Sequence, residues 1–117
     1  MAVSKIILSG SAHGLGISVT SVASGTANTL HTAISGTGAS LDETWIYANN
    51  IGTTAEVLTL MFGSGLITRD HIIATVPPKD GMYLVAPGFV LRNGAVVKGF
   101  AQTADKVMIR GYVHRVT

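Results

Sequence analysis

Lys106-Val107-Met108-Ile109-Arg110-Gly111-Tyr112-Val113-His114-Arg115 alternates along its length. Val107, Ile109 and Val113 fall on one side. Met108, Arg110, Tyr112 and His114 fall on the other, a polar and aromatic face suited to solvent or a partner. Period-two alternation is the signature of a half-buried strand. Just upstream, Phe89-Val90-Leu91-Arg92 and Ala95-Val96-Val97-Lys98 flank Asn93-Gly94. Asn-Gly between β-rich runs predicts a hairpin, because a type I′ turn needs positive φ at both central residues.

The pattern continues toward the N-terminus. Met82-Tyr83-Leu84-Val85 reads as a strand and Pro87-Gly88 as a break after it. Pro77-Pro78-Lys79-Asp80-Gly81 cannot continue a ladder and reads as a loop. His71–Val76 is a strand. Glu56–Phe62 is another, with Leu58, Leu60 and Phe62 on one side, and Gly63-Ser64-Gly65 ends it. Asp42–Asn49 sets Trp45 and Tyr47 against Ile46 and Ala48, and Asn49-Asn50-Ile51-Gly52 has turn chemistry. No stretch carries a full amphipathic helical stripe; a short turn is expected near Arg69-Asp70-His71. Strands at roughly 8–12-residue spacing predict an all-β, single-domain sandwich or barrel-like fold of short antiparallel strands.

Composition narrows the function classes. The chain has 117 residues, 47% apolar and 12% charged, with no cysteine. That is one domain's worth of chain and not a disordered composition. Disulfides and thiolate chemistry are excluded. A net charge of +2 is too small to argue for nucleic acid. Ile6-Ile7-Leu8 is cut short by Ser9-Gly10-Ser11, well below the h-region of a signal peptide. No window reaches the roughly 18 apolar residues of a membrane span, so synthesis in the cytoplasm and no membrane partner are the expectations.

Residues 1–40 differ from the rest. Lys5 is their one charged side chain, and Gly, Ser, Thr and Ala dominate. Two readings stay open. One is a flexible arm. The other is a set of thin strands buried against neighbouring subunits, since Ile6-Ile7-Leu8, Leu15-Gly16-Ile17-Ser18-Val19 and Leu30–Ile34 alternate in places. The expected sandwich core is then 41–117.

Motifs of catalysis fail on inspection. Gly10-Ser11-Ala12-His13-Gly14-Leu15-Gly16 lacks the Lys-Ser/Thr of a phosphate loop, and no helix follows it. His13, His31, His71 and His114 are too far apart for a local metal pair. Asp70-His71 has no G-x-S-x-G nucleophile to serve. Asp42 and Glu43 are adjacent, so on a strand they point to opposite faces and cannot flank one glycosidic bond. No enzyme activity, cofactor or metal is expected. Trp45 and Tyr47 share a strand face and would suit sugar stacking, although a tryptophan in a small sandwich is more often core. Arg92, Lys98, Lys106, Arg110 and Arg115 are interleaved with apolar residues, as rim or salt-bridge groups are.

One resemblance sharpens this. Trp45-Ile46-Tyr47-Ala48-Asn49, Leu58-Thr59-Leu60 with Phe62-Gly63, Asp70-His71-Ile72, the Pro77 loop, Leu84-Val85 with Pro87-Gly88, Gly94–Lys98, Phe100-Ala101 and Gly111-Tyr112-Val113-His114-Arg115 stand in an order that resembles small virion structural proteins of tailed bacteriophages. It covers about 41–117. Members more often carry an aromatic-Gly-Gly where Phe62-Gly63-Ser64 stands, and Asn in place of His114. The resemblance implies a non-enzymatic β-fold part of the particle, foremost a decoration (cement) protein on the head. A tail, neck or fibre component is the next reading, and a carbohydrate-binding module outside any virion the third. Expected partners are the major capsid protein or other virion proteins and further copies of the chain, with a trimer favoured. The expected interface uses apolar and backbone contacts of Ile6, Ile7, Leu8, Leu15 and Ile17, with Arg110, Tyr112 and Arg115 at a protomer edge.

Overall fold

Two antiparallel sheets face each other in a computed structural model that describes residues 2–63 and 70–117. Nine strands lie among these residues: β1 (Val3–Ile7), β2 (Ile17–Ser18), β3 (Asn28–Thr32), β4 (Leu41–Asn50), β5 (Glu56–Phe62), β6 (His71–Val76), β7 (Tyr83–Leu91), β8 (Val96–Ala101) and β9 (Val107–Val116). The first sheet runs β1-β9-β4-β7, with β2 also paired to β9; the second runs β3-β8-β5-β6. Among the described residues each sheet keeps two free edges, as a sandwich does and a closed barrel does not. Ser64 and Gly65, read from sequence as ending β5, and Arg69 of the expected turn lie outside the described residues.

β4 and β9 form the spine of the first sheet. They pair from Leu41↔Val116 to Asn50↔Val107 without a shift in register. Alternation turns Ile46 and Ala48 of β4, and Val107, Ile109 and Val113 of β9, into the core. Across the gap they meet Leu30, Leu58, Leu60, Val76, Val97 and Ala101 of the second sheet. Burying each Val, Leu or Ile of this set contributes about 1.5–3 kcal/mol before the entropy of ordering is subtracted.

Residues 2–40 are woven into this core and form no separate arm. β1 pairs with β9 over Val3↔Val116 to Ile7↔Tyr112, and β3 pairs with β8. Leu8, Val19 and Leu30 are fully buried. The segment is thus fastened by Leu8, Val19 and Leu30, while Val3, Ile7, Leu15 and Val22 remain exposed.

The Asn93-Gly94 reading divides. Asn93 and Gly94 both have positive φ, 58° and 68°, and the Ala95 N–H donates to the Arg92 carbonyl at 3.2 Å. The turn is therefore as expected. The hairpin is not: β7 pairs with β4 in the first sheet, and β8 pairs with β3 and β5 in the second. The turn arches across the sandwich. It is held there by Gly94 N–H on the Ile34 carbonyl and Ala33 N–H on the Ala95 carbonyl. Turn chemistry is local, whereas the ladder each strand joins is decided by core packing.

Pro87-Gly88 is also no break. β7 runs through it, with register shifts between Thr44 and Trp45 and between Ile46 and Tyr47 on the facing strand. β7 is an edge strand, where a proline costs no ladder bond if its nitrogen faces solvent. Gly88 has φ +82°, and a Cβ there would lie 3.0 Å from the Trp45 ring.

The tightest constraint sits on the spine. Gly111 pairs with Ile46, and a Cβ at Gly111 would stand 2.1 Å from the Trp45 carbonyl oxygen. Gly111→Ala must push β9 and β4 apart and should cost about 3 kcal/mol, the upper end of overpacking penalties. Gly25→Ala, where a Cβ meets nothing within 4 Å, should leave the urea midpoint unchanged. Equal midpoints for the two variants would refute the close approach.

Candidate functional site

The outward face of the first sheet is built by the residues that alternate with its core. Register places Ile7, Tyr112, Trp45 and Pro87 in one row across β1, β9, β4 and β7. With strands about 4.8 Å apart, the row spans about 14 Å. Beside it lies a second row, Lys5, His114, Glu43 and Val90, and on the other side Arg110, Tyr47 and Leu84. Ile7, Leu84 and Val90 are large apolar side chains that remain exposed, Ile7 at 50%.

The aromatic centre is organised. The Trp45 and Tyr112 rings lie near-parallel and offset, with centroids 6.3 Å apart and 16° between planes. The Lys5 ammonium sits 4.7 Å from the Tyr112 centroid, a cation–π contact. The His114 ring is tilted against Tyr112, with centroids 5.2 Å apart. The Trp45 indole N–H donates to Glu43 Oε1 at 2.7 Å, and His114 Nδ1 stands 3.4 Å from the same oxygen. The indole's polar edge is therefore satisfied within the protomer. What the face offers a partner is ring surface and aliphatic side chain, bordered by charges that already have neighbours.

The residues expected at the interface separate into four groups. Ile7, Arg110 and Tyr112 are on this face. Leu8 is fully buried in the core, and Ile6 and Ile17 pack partly buried against it. Leu15 is 65% exposed, in the loop between β1 and β2. Arg115 is not beside Arg110 and Tyr112: odd positions of β9 face inward, and its guanidinium binds Asp42 between the sheets. Trp45 is half-buried on the outer face and does not belong to the core, with Tyr47 on the same side. Lys5, Glu43, Pro87 and Val90 were not singled out from sequence. Only strand register brings them together, and register depends on pairings distant in the chain.

The histidine without a surface role is His31. It is fully buried, its Nδ1 accepting from the Ser9 N–H at 3.0 Å and its Nε2 facing Asp42 Oδ2 at 2.8 Å. The proton therefore sits on Nε2. Arg115 donates to both Asp42 oxygens, at 2.8 and 2.9 Å, and the Ile34 N–H reaches Oδ2 at 3.1 Å. With both ring nitrogens occupied and the carboxylate buried, this Asp–His pair has no proton to exchange with a substrate. Among the described residues, no group of three His, Asp or Glu side chains could hold a metal ion. No family model, no curated protein and no solved structure matches this chain.

Burial alone would raise the Asp42 pKa, but hydrogen bonds from Arg115 and His31 outweigh it and hold the carboxyl below its ordinary value. A depressed folded pKa contributes stability above the unfolded value, about 4, and that stability is lost as pH falls through the folded value. Asp42→Asn should cost about 3 kcal/mol at neutral pH, because it strips a buried charge partner from Arg115. The gap between wild type and variant should narrow in urea titrations below about pH 4. A gap independent of pH would show that the charge of Asp42 is not what stabilises.

Proposed function

We propose that this chain is a non-enzymatic virion structural protein of a tailed bacteriophage, acting as a decoration protein that stabilises the head through contacts between subunits. The observation that carries the reading is the outward row Ile7–Tyr112–Trp45–Pro87 across a four-strand face, its ends exposed and its two rings half-buried. Monomers that stay alone seldom leave a contiguous apolar patch rimmed by polar groups. Aromatic residues on a rigid sheet suit the buried centre of an interface, because they bring large area at small entropic cost.

The sequence resemblance supports the same reading. Two of its segments, Trp45–Asn49 and Gly111–Arg115, lie on the paired strands β4 and β9 and meet at Trp45↔Tyr112 and Ile46↔Gly111. They supply the two rings at the centre of the row. In this reading the partners are the major capsid protein or another virion protein and further copies of the chain, as a trimer, and the protein resides in the virion.

One observation favours a second reading. Two near-parallel rings on an open face are also how carbohydrate-binding modules hold a sugar, and Trp45 and Tyr112 form such a pair. The pair differs from the Trp45 and Tyr47 expected from sequence, since cross-strand neighbours stack better than residues two apart on one strand.

Quantitative mass spectrometry of purified particles tests the proposal. A copy number near that of the major capsid protein is expected. A far smaller number would move the chain to the neck, tail or fibre, and absence from particles would overturn the virion reading. Tyr112→Asp should abolish particle binding and self-association by light scattering while leaving the circular dichroism spectrum unchanged. Glycan binding by wild type, lost in Trp45→Ala, without self-association would favour the carbohydrate reading.

A further inference from the structure

A separate cleft lies where β4 ends, at the edge of the same sheet. Asn49, Asn50, Ile51, Lys79, Met82 and Arg110 line it, and its volume is about 450 Å³. The cleft is open to solvent, as a docking site for a segment of chain must be. Its charge is one-sided. Lys79 and Arg110 both line it, and no carboxylate does. Asp80, the acid in the same loop, accepts the Tyr83 hydroxyl. Elsewhere Asp42, Glu43, Glu56 and Asp105 each accept hydrogen bonds from their own neighbourhood. Among the described residues, Lys79 and Arg110 form no ion pair. Lys106 adds a third positive charge nearby, its side chain packed beside Gly52.

The walls are preformed. Asn50 donates to the Thr54 and Val76 carbonyls, and its Oδ1 accepts the Gly52 N–H. The Lys79 N–H donates to the Asn50 carbonyl at 2.8 Å, which ties the β6–β7 loop to the end of β4. Lys79 itself has φ +53°, so its backbone is set in a specific turn. Next to this fixed frame, Asn49 Oδ1 is shielded from water and has no hydrogen-bond partner. A shielded acceptor without a donor is unfavourable, a cost carried by the frame beside the cleft.

We propose that this cleft binds an acidic peptide segment of a partner protein. A peptide carries two features that suit the cleft: carboxylates for Lys79 and Arg110, and aliphatic stems to lie on the exposed Ile51 and Met82. An inorganic anion brings charge but no apolar stem. The inference deepens the reading of the chain as a docking protein by naming the chemistry of the segment it grips, and it rests on that reading. The cleft adjoins the aromatic face through Arg110 and Tyr47, which pair across β9 and β4, so one partner can cover both.

Fluorescence anisotropy on the intact protein tests this without particles. The probe is a labelled hexapeptide with alternating Asp and Leu, and the comparison is the same peptide with Asn for Asp. The acidic peptide should bind at least about tenfold more tightly than the neutral one, and added salt should weaken it. Lys79→Glu and Arg110→Glu should each weaken binding about tenfold. Lys98→Glu, on the outer face of the other sheet, changes net charge equally and should leave binding intact. Equal loss in Lys98→Glu, equal binding of the neutral peptide, or no binding at about 1 mM would overturn the proposal. Binding of an oligogalacturonide in place of the peptide would overturn it in favour of an acidic glycan. A failed peptide assay with a high copy number in particles would remove the cleft and leave the virion reading standing.

Discussion

The buried carboxylate of Asp42 is the interaction on which one end of the sandwich depends. It lies on β4 of the first sheet and takes a hydrogen bond from His31 on β3 of the second. Through His31 it reaches the Ser9 backbone, just after β1, and through Arg115 it fixes the last turn of side chains on β9. Four segments far apart in sequence thus share one charge. A carboxylate out of water is tolerable only when its lone pairs are filled, and here four donor groups fill them. The net worth of such a site, once its desolvation is subtracted, is small compared with the core. What it supplies is alignment: His31 meets Asp42 in one relative position of the two sheets.

Asp42 also explains how β4 and β9 serve two purposes. Each inward residue has an outward neighbour one step along the chain. Asp42 goes in to Arg115 and Glu43 goes out to the Trp45 indole. On β9, Arg115 goes in while His114 and Tyr112 stay out. The outer aromatic row therefore stands on the most tightly paired strands of the fold, backed by Gly111, which permits the closest approach between them. A rigid backing means that little side-chain or backbone freedom is lost when the face is covered.

Much of this was legible in the sequence, and the failures are instructive. Alternation separated the two faces of β4, β5 and β9, because period two is a property of a single strand. It did not say which face of β4 turns inward, and Trp45, expected as core, lies on the outer one. The class of fold followed from strand spacing. Three readings needed information that sequence order does not carry. Asn93-Gly94 encodes its turn but not the sheet that each flanking strand joins. Arg115 reads as an interface cation until parity on β9 is combined with the place of Asp42 opposite it. Residues 1–40 look detachable because small residues hide how little apolar mass a thin strand needs. Leu8, Val19 and Leu30, one large side chain per passage, are enough to fasten them.

The free edges of the sheets bear on how the protein meets its neighbours. β1 and β3 are five residues long, β1 carries Lys5 outward, and β3 has an irregular register between Thr29 and His31. β7 is longer but holds Pro87 and Gly88. Short, charged, irregular or proline-bearing edges discourage the addition of another chain's strand. Association by extending these sheets is thereby made unfavourable at three of the four edges. The side-chain face is left as the better route, and on the first sheet it holds the outward apolar row and the cationic cleft side by side. Edge control and face chemistry act in the same direction: they steer contacts away from backbone pairing, which is indifferent to sequence, and toward ring and charge contacts, which select their partner.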